Sequence, residues 1–200
     1  MLLDKIAEAK IKDIMIEDMS VENETIKDED IASVDFQSVH FIQCKFEGCN
    51  FSRANFHSVT FEACDFSNCK FRNSYWKDVE VRDCKADGSD FNEAVFKEVQ
   101  LEKSSFRYAN CVNTLWEHCT ITECDFREAF MSEVKLKKIA FSKVDFTQVD
   151  FFKTPLKGID LSNCTINGMM VSDTYRELRG AKVSIIQTME IAKILGVKVI

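Results

Sequence analysis

The chain has 200 residues, 46% of them hydrophobic and 30% charged, which excludes an intrinsically disordered protein. Its 33 acidic and 26 basic residues give a net charge of −7, which argues against a protein that binds nucleic-acid phosphates directly. No apolar run is long enough to span a membrane, and the charged N-terminus lacks the apolar stretch of a signal peptide, so we expect a soluble cytoplasmic protein.

Residues 1–30 are predicted to form a degenerate acidic N-terminal cap. They contain ten acidic and four basic residues, and Ile or Val recurs every five positions at Ile6, Ile11, Ile16, Val21 and Ile26. Positions two residues before this register would place Glu24 and Glu29 inside the fold, and an unpaired buried carboxylate is costly. We therefore start the regular structure at Ile31, with Leu3, Ile6 and Ala7 suited to a short helix.

A five-residue repeat runs without interruption from Ile31 to Val171. Of the 29 positions in this register, here called i, 27 hold a large apolar residue, and they include 15 of the 17 phenylalanines. Only Ala86 and Cys111 depart from the rule. Two residues earlier, at i−2, 25 of 28 positions hold Ala, Cys, Ser, Thr or Val, including eight of the nine cysteines. Because side chains two apart share a face of an extended chain, i−2 and i are expected to point inward.

The repeat predicts an all-β solenoid for residues 31–175. Four of the six glycines lie at i+2, where a tight corner requires positive φ. Columns that take every twentieth position keep their residue type, for example Val39, Val59, Val79 and Val99, whereas columns that take every fifteenth position do not. Each coil therefore contains four repeats around a square section. We predict a quadrilateral β-helix of about seven coils, roughly 35 Å long.

Residues 176–200 are predicted to form a C-terminal helix and tail that cap the rod and dimerise it. The register fails at Arg176, and Ser184 with Gln187 three residues later resembles a capping box at the start of a helix over Ile185–Leu195. Residues Val197–Ile200 alternate like an edge strand. The apolar arc is wider than a cap requires, so the candidate dimer interface comprises Ile185, Ile186, Met189, Leu195, Val197 and Val199. An intramolecular cap is the alternative.

No catalytic, cofactor-binding or metal site is predicted. The inward cysteines form a straight ladder that does not converge on one ion, so we interpret them as reduced, buried packing residues. His40, His57 and His118 lie in three different columns with no nucleophile beside them, which makes an enzyme unexpected. The outward i−1 column instead carries Tyr75, Val95 and Leu115 on successive coils, a candidate partner surface.

The small-polar-Phe/Leu pattern at five-residue spacing resembles the pentapeptide-repeat family, and more closely its Qnr-type members. The segments that carry the Qnr resemblance are Cys49–Ala54, Phe71–Ser74, Arg82–Phe91 and Leu178–Val183. The repeat also runs straight through Phe46–Cys49 and Phe96–Phe106, where Qnr proteins of Gram-negative bacteria carry two loops. The resemblance is therefore to loop-less members, and it implies that the quadrilateral β-helix is right-handed.

The resemblance implies a function on the outer surface. Related rods resemble B-DNA in width and charge, bind DNA gyrase or topoisomerase IV, and form dimers through their C-termini. We therefore expect a non-enzymatic DNA mimic that modulates a type II topoisomerase, and the missing loops weigh against quinolone protection. The alternative is a cytoplasmic protein-interaction scaffold with an unrelated partner, recognised through the Tyr75–Leu115 face.

Overall fold

The chain winds into a stack of square coils, as a computed structural model describing residues 1–198 shows. Two helices, α1 (Leu2–Lys12) and α2 (Thr188–Ile194), and a 3-10 helix (Arg176–Leu178) flank the coils. The strands within residues 1–198 are β1 (Ile16–Glu22), β2 (Thr25–Lys27), β3 (Asp35–Ile42), β4 (Lys45–Glu47), β5 (Asn55–His57), β6 (Thr60–Glu62), β7 (Tyr75–Lys77), β8 (Glu80–Arg82), β9 (Val95–Lys97), β10 (Gln100–Glu102), β11 (Leu115–Glu117), β12 (Thr120–Thr122), β13 (Lys135–Lys137) and β14 (Ala140–Ser142).

All strand pairs are parallel, and each coil places a residue directly opposite its counterpart four repeats later, as for Phe36 and Phe56. One side of the rod stacks β5, β7, β9, β11 and β13, the next side stacks β6, β8, β10, β12 and β14, and β3 turns the corner between them. Apart from the β2–β4 pair, the other two sides are held by isolated bridges, such as the seven that connect Asp30 stepwise to Met170. The predicted right-handed quadrilateral β-helix is confirmed.

The interior is an aromatic ladder. All 15 phenylalanines at i are buried. Rings on successive coils stack, as for Phe51 with Phe71 at 4.9 Å and Phe71 with Phe91 at 5.0 Å between centroids. The small residues at i−2 are buried beside them because a larger side chain would collide with the rings. These phenylalanine rings, removed from water in one continuous core, are the main source of stability.

The corners adopt left-handed backbone whatever residue occupies them. Every fifth residue from Asp18 to Gly158 has positive φ, including Ala63 and Tyr108, which normally avoid that region. Because the inward strands on both sides of each corner are fixed by stacking, the coil geometry imposes this conformation. Sequence reasoning identified the glycine corners but not that charged and aromatic residues would adopt the same backbone.

The N-terminal coil begins earlier than the predicted start at Ile31. β1 pairs with β3 in register, with Ile16 opposite Phe36, and β2 pairs with β4. Glu24, expected to be an unpaired buried carboxylate, is only half-buried. Both of its carboxylate oxygens accept the backbone N–H of Leu2, at 3.3 and 3.2 Å. This acid therefore satisfies an open donor at the start of α1. Leu2, Ile6 and Ala9 of that helix are buried against the coils.

The C-terminal coil contains two extra residues. The backbone N–H of Phe151 donates to the carbonyl of Met170, so the repeat would pair the N–H of Leu156 with Tyr175, but that N–H donates to Glu177 instead. The buried carboxylate of Glu177 replaces a displaced carbonyl by accepting the N–H of Lys153 and the hydroxyl of Ser172, both at 2.9 Å. The register thus breaks just before Arg176.

The C-terminal helix is shorter than predicted, and Gln187, just before it, faces the last coil. The Ser184 N–H donates to the Gln187 side-chain oxygen at 2.7 Å, and the Gln187 N–H donates back to the Ser184 hydroxyl at 3.4 Å, so the capping box forms. The Gln187 amide also donates to the carbonyls of Leu161 and Cys164, both at 2.7 Å. Gln187 is thereby buried against the last coil, and the regular helix starts only at Thr188.

Candidate interaction surfaces

The predicted partner stripe forms a continuous column on one side of the rod. Tyr75, Val95 and Leu115 open β7, β9 and β11, and each pairs directly with the next across one coil step. All three are half-buried. The ammonium of Lys97 lies 5.8 Å from the centroid of the Tyr75 ring, and it is 3.8 Å from the Glu117 carboxylate. The stripe is therefore an apolar strip edged by paired charges.

Five of the six predicted dimer residues are exposed on the C-terminal segment. Ile185 is 89% exposed and Ile186 is 75% exposed, because the buried Gln187 turns this face away from the coils. Exposed apolar side chains continue at Met189, Leu195 and Val197. Val197 and Lys198 are not in a strand, and Val199 and the end of the predicted edge strand lie outside the described residues. Ile191 and Ile194 pack against the core instead.

Two exposed phenylalanines were missed by the sequence analysis. Phe130 and Phe152 are the only phenylalanines outside the i register, and they are 48% and 42% exposed. Phe130, together with Tyr108 and Met170, lines a surface groove, and Phe152 lines a separate pocket near the C-terminal coil. Their departure from the repeat was the available signal.

The charge changes sign along the rod axis. Residues 1–130 carry 26 acidic and 15 basic side chains, whereas residues 131–200 carry 7 acidic and 11 basic ones. Because position along the axis follows position along the chain, the N-terminal part of the rod is strongly acidic and the C-terminal part is basic. The average charge of −7 conceals this difference.

The interior thiols are packing groups. All nine cysteines are free and buried. Burial raises the pKa of Cys119 to about 11 and that of Cys124 to about 12. The thiol of Cys84 donates to the carbonyls of Arg82, at 3.1 Å, and Phe61, at 3.4 Å. Within residues 1–198, no three His, Cys, Asp or Glu side chains are grouped so that they could hold a metal ion.

The helices in the described part of the chain do not reach the dimensions of a membrane span. Neither α1 nor α2 is long and apolar enough to cross a bilayer.

Comparison with known proteins identifies the repeat. A family described as a pentapeptide repeat region matches residues 34–111, and one described as pentapeptide repeats in eight copies matches residues 100–137. No curated protein matches the sequence.

Two solved structures share the fold over almost the whole chain. Both are trypsin-treated variants of QnrB1, a plasmid-mediated fluoroquinolone resistance protein, and both are 24% identical to this chain. One gives a TM-score of 0.61 and covers 94% of this chain and 100% of its own, and the other gives 0.60 with 94% and 98%. At this identity the likeness concerns the fold. The two family matches together span residues 34–137, more than half of the chain, and show that it belongs to the pentapeptide-repeat family.

Proposed function

We propose that this protein is a non-enzymatic DNA mimic that binds and modulates a type II topoisomerase, DNA gyrase or topoisomerase IV. The observation that carries the proposal is the acidic rod formed by residues 1–130, on a fold shared with a fluoroquinolone resistance protein. A DNA-binding surface is positively charged, so it attracts a rigid rod with this charge. The aromatic interior leaves the outer surface as the part that can meet a partner.

The acidic N-terminal end is the part of the rod that we assign to this contact. Residues 1–30 alone contribute ten acids against four bases. Glu17, Asp18 and Glu22 are exposed on β1, and none of the three makes an ion pair within residues 1–198. The nine free thiols suit a reducing cytoplasm, where topoisomerases act.

A supercoiling assay tests the proposal. Purified protein is titrated into DNA gyrase and relaxed plasmid, with and without ciprofloxacin. Restored supercoiling under drug would mean protection, and loss of supercoiling without drug would mean inhibition; either supports the proposal. No effect in either arm at protein concentrations well above that of gyrase would reject it.

A charge series separates mimicry from other modes of binding. Glu17→Gln/Asp18→Asn/Glu22→Gln removes three exposed acids from the N-terminal end. Glu133→Gln/Asp160→Asn/Asp173→Asn, the control with the same change in charge, acts on the basic part, where Glu133 is ion-paired with Lys153. Mimicry by the N-terminal end requires that the first variant lose its effect on gyrase while the control retains it. Equal loss in both would contradict that assignment.

We also propose that the protein is a homodimer joined through its C-termini. The support is the cluster of exposed apolar side chains at Ile185, Ile186 and Met189 beside an open coil end. A dimer would cover this face and double the length of the rod.

The second candidate function is an interaction scaffold that binds an unrelated protein. The observation that favours it is the unbroken Tyr75–Val95–Leu115 ladder, which the repeat does not require. Gel filtration with and without gyrase distinguishes the two, because a scaffold would not co-elute with the topoisomerase.

A further inference from the structure

A cluster of exposed lysines lies on the C-terminal coils, on the same side of the rod as the Tyr75 stripe. Lys135 and Lys137 flank the centre of β13, directly above Leu115 and Glu117 of β11. Lys138 follows at the corner, and Lys157 lies one coil further on. All four side chains are exposed, and none makes a salt bridge within residues 1–198.

The nearest acids on this side are already engaged by other cations. The Glu117 carboxylate is 3.8 Å from the ammonium of Lys97, and the Glu133 carboxylate is 3.1 Å from that of Lys153. Elsewhere on the rod lysines and acids alternate between coils, as in the pair of Lys143 with Glu123 at 2.8 Å. The lysine cluster is therefore a local excess of positive charge that the protein itself does not neutralise.

A pocket opens beside the cluster. It has a volume of about 480 Å³, within the size range of ligand pockets, and Phe152 and Pro155 supply its apolar wall. Lys153 and Arg176 also line it, with the ammonium of Lys153 5.1 Å from the centroid of the Phe152 ring. Two acids, Asp173 and Glu177, also belong to the lining, and the Glu177 carboxylate is already engaged by the N–H of Lys153 and the hydroxyl of Ser172. Pro155 takes the place of Lys135 one coil later, and it has no N–H to continue the β13 ladder, so the pocket and the lysines share this border.

The dimensions favour a short occupant. Lys135 and Lys137 are separated by roughly 7 Å along the strand, and one coil step adds roughly 5 Å to Lys157. That area accommodates two or three carboxylates. A nucleic acid strand would extend onto residues 1–130, where 26 acids outnumber 15 bases, and be repelled.

We propose that this lysine cluster and the adjoining Phe152–Pro155 pocket bind an acidic segment of a partner protein. The carboxylates of the segment pair with Lys135, Lys137 and Lys157, and a large apolar side chain enters the pocket. The site is distinct from the acidic end assigned to a topoisomerase, and it does not depend on that assignment.

Fluorescence anisotropy tests the proposal with defined peptides. The probe is a fluorescein-labelled heptapeptide with a central phenylalanine between two runs of three glutamates. One control peptide replaces the glutamates with glutamine, and a second replaces the phenylalanine with alanine. At ~50 mM NaCl, where screening is weak, we expect the probe to bind about tenfold more tightly than the glutamine peptide. Equal affinity for both would overturn the proposal.

Matched variants locate the binding site. Lys135→Gln/Lys137→Gln should weaken probe binding about five- to tenfold, since two exposed ion pairs are lost. Lys70→Gln/Lys85→Gln removes two exposed lysines, also without salt bridges in residues 1–198, from the other sides, and should leave the affinity within about twofold. Phe152→Ala should reduce the affinity for the probe to that of the alanine peptide.

Two further outcomes would overturn the proposal. Equal weakening by both lysine pairs would mean diffuse attraction to the rod. Tighter binding of a ten-nucleotide single-stranded DNA than of the probe, lost in Lys135→Gln/Lys137→Gln, would assign the cluster to nucleic acid. Circular dichroism melting confirms that each variant is folded, and gyrase supercoiling is measured separately, so failure here and failure of the topoisomerase proposal remain distinguishable.

Discussion

The indole N–H of Trp76 donates to the hydroxyl of Ser74, two residues earlier, at 2.8 Å. The same bond joins Trp116 to Thr114 at 2.9 Å, and these are the two tryptophans of the chain. Both hydroxyls also donate to a backbone carbonyl, Ser74 to Phe71 at 2.6 Å and Thr114 to Cys111 at 2.7 Å. A tryptophan can therefore replace phenylalanine at i because the i−2 position supplies a hydroxyl for its N–H.

Removing the hydroxyl at i−2 should lower the free energy of unfolding where a tryptophan occupies i. Ser74→Ala leaves the buried indole N–H without a partner, so we expect the free energy of unfolding to fall by about 1–3 kcal/mol. Trp76→Phe removes the donor and suits a column that already holds Phe56 and Phe96. In a double-mutant cycle by urea denaturation, Ser74→Ala should cost less in the Trp76→Phe background. An equal cost in both would contradict this role of the hydroxyl.

Replacing a phenylalanine with alanine should destabilise the protein far more inside the aromatic ladder than outside it. Phe71 is buried between the stacked rings of Phe51 and Phe91, so Phe71→Ala should lower the free energy of unfolding by about 3–5 kcal/mol. Phe130 lies outside the register and is 48% exposed, so Phe130→Ala should change it by less than about 1 kcal/mol. Chemical denaturation of both proteins checks this, and a loss below about 1 kcal/mol for Phe71→Ala would be incompatible with an inward ring.

The buried thiols should be protected from reagents in the folded protein. Cys64 and Cys84 are buried, so native protein should react with a thiol reagent only after denaturation. Rapid labelling of either residue in native protein would contradict their interior placement.

The raised pKa values of the thiols should make the folded protein less stable at alkaline pH. Cys119 and Cys124 have pKa values of about 11 and about 12 in the folded protein, but ionise at about 8.5 when unfolded. The unfolded chain therefore loses protons first as the pH rises, and stability falls. We expect the free energy of unfolding to drop by at least about 1 kcal/mol between pH 9 and 10, measured by denaturation under reducing conditions. A flat profile there would mean that the thiols are hydrated.

The C-terminal dimer should depend on the exposed isoleucines. Ile186→Lys introduces a charge where the proposed interface is apolar, so light scattering after gel filtration should give a monomer mass instead of a dimer. Ile11→Lys makes the same change at an 83% exposed isoleucine on α1, far from the interface, and should stay dimeric. A monomeric wild-type protein would refute the dimer.

The regular part of the rod could be predicted because its rule is local. A large apolar residue at i and a small one at i−2 specify inward side chains, and the columns formed by every fourth repeat specify the coil. The ends could not be predicted this way, because their stability depends on contacts between distant segments. Glu24 appeared to be a misplaced buried acid until helix α1 supplied the N–H of Leu2.

The candidate surfaces show the same difference. The Tyr75–Val95–Leu115 column followed directly from the coil period. The orientation of the C-terminal helix did not, since helical periodicity gives a polar line but not the side that faces the protein. Gln187 faces the last coil, where its amide donates to the carbonyls of Leu161 and Cys164. Within the lysine cluster, Lys137 and Lys157 are twenty residues apart and could be read as a column, but only the ion pairs of the neighbouring acids show that the charge of the cluster is uncompensated.

The reversal of charge along the axis gives the rod an electric dipole moment. A rod with 26 acids and 15 bases in residues 1–130, and 7 acids and 11 bases in the rest, experiences a torque in the field of any charged surface. It therefore arrives at a positively charged partner with its N-terminal end leading, before any side chain makes contact. At physiological salt that orientation acts only over about 8–10 Å, so it selects among encounters already under way. In a dimer joined at the C-termini the two dipoles oppose each other, and both outer ends become equivalent.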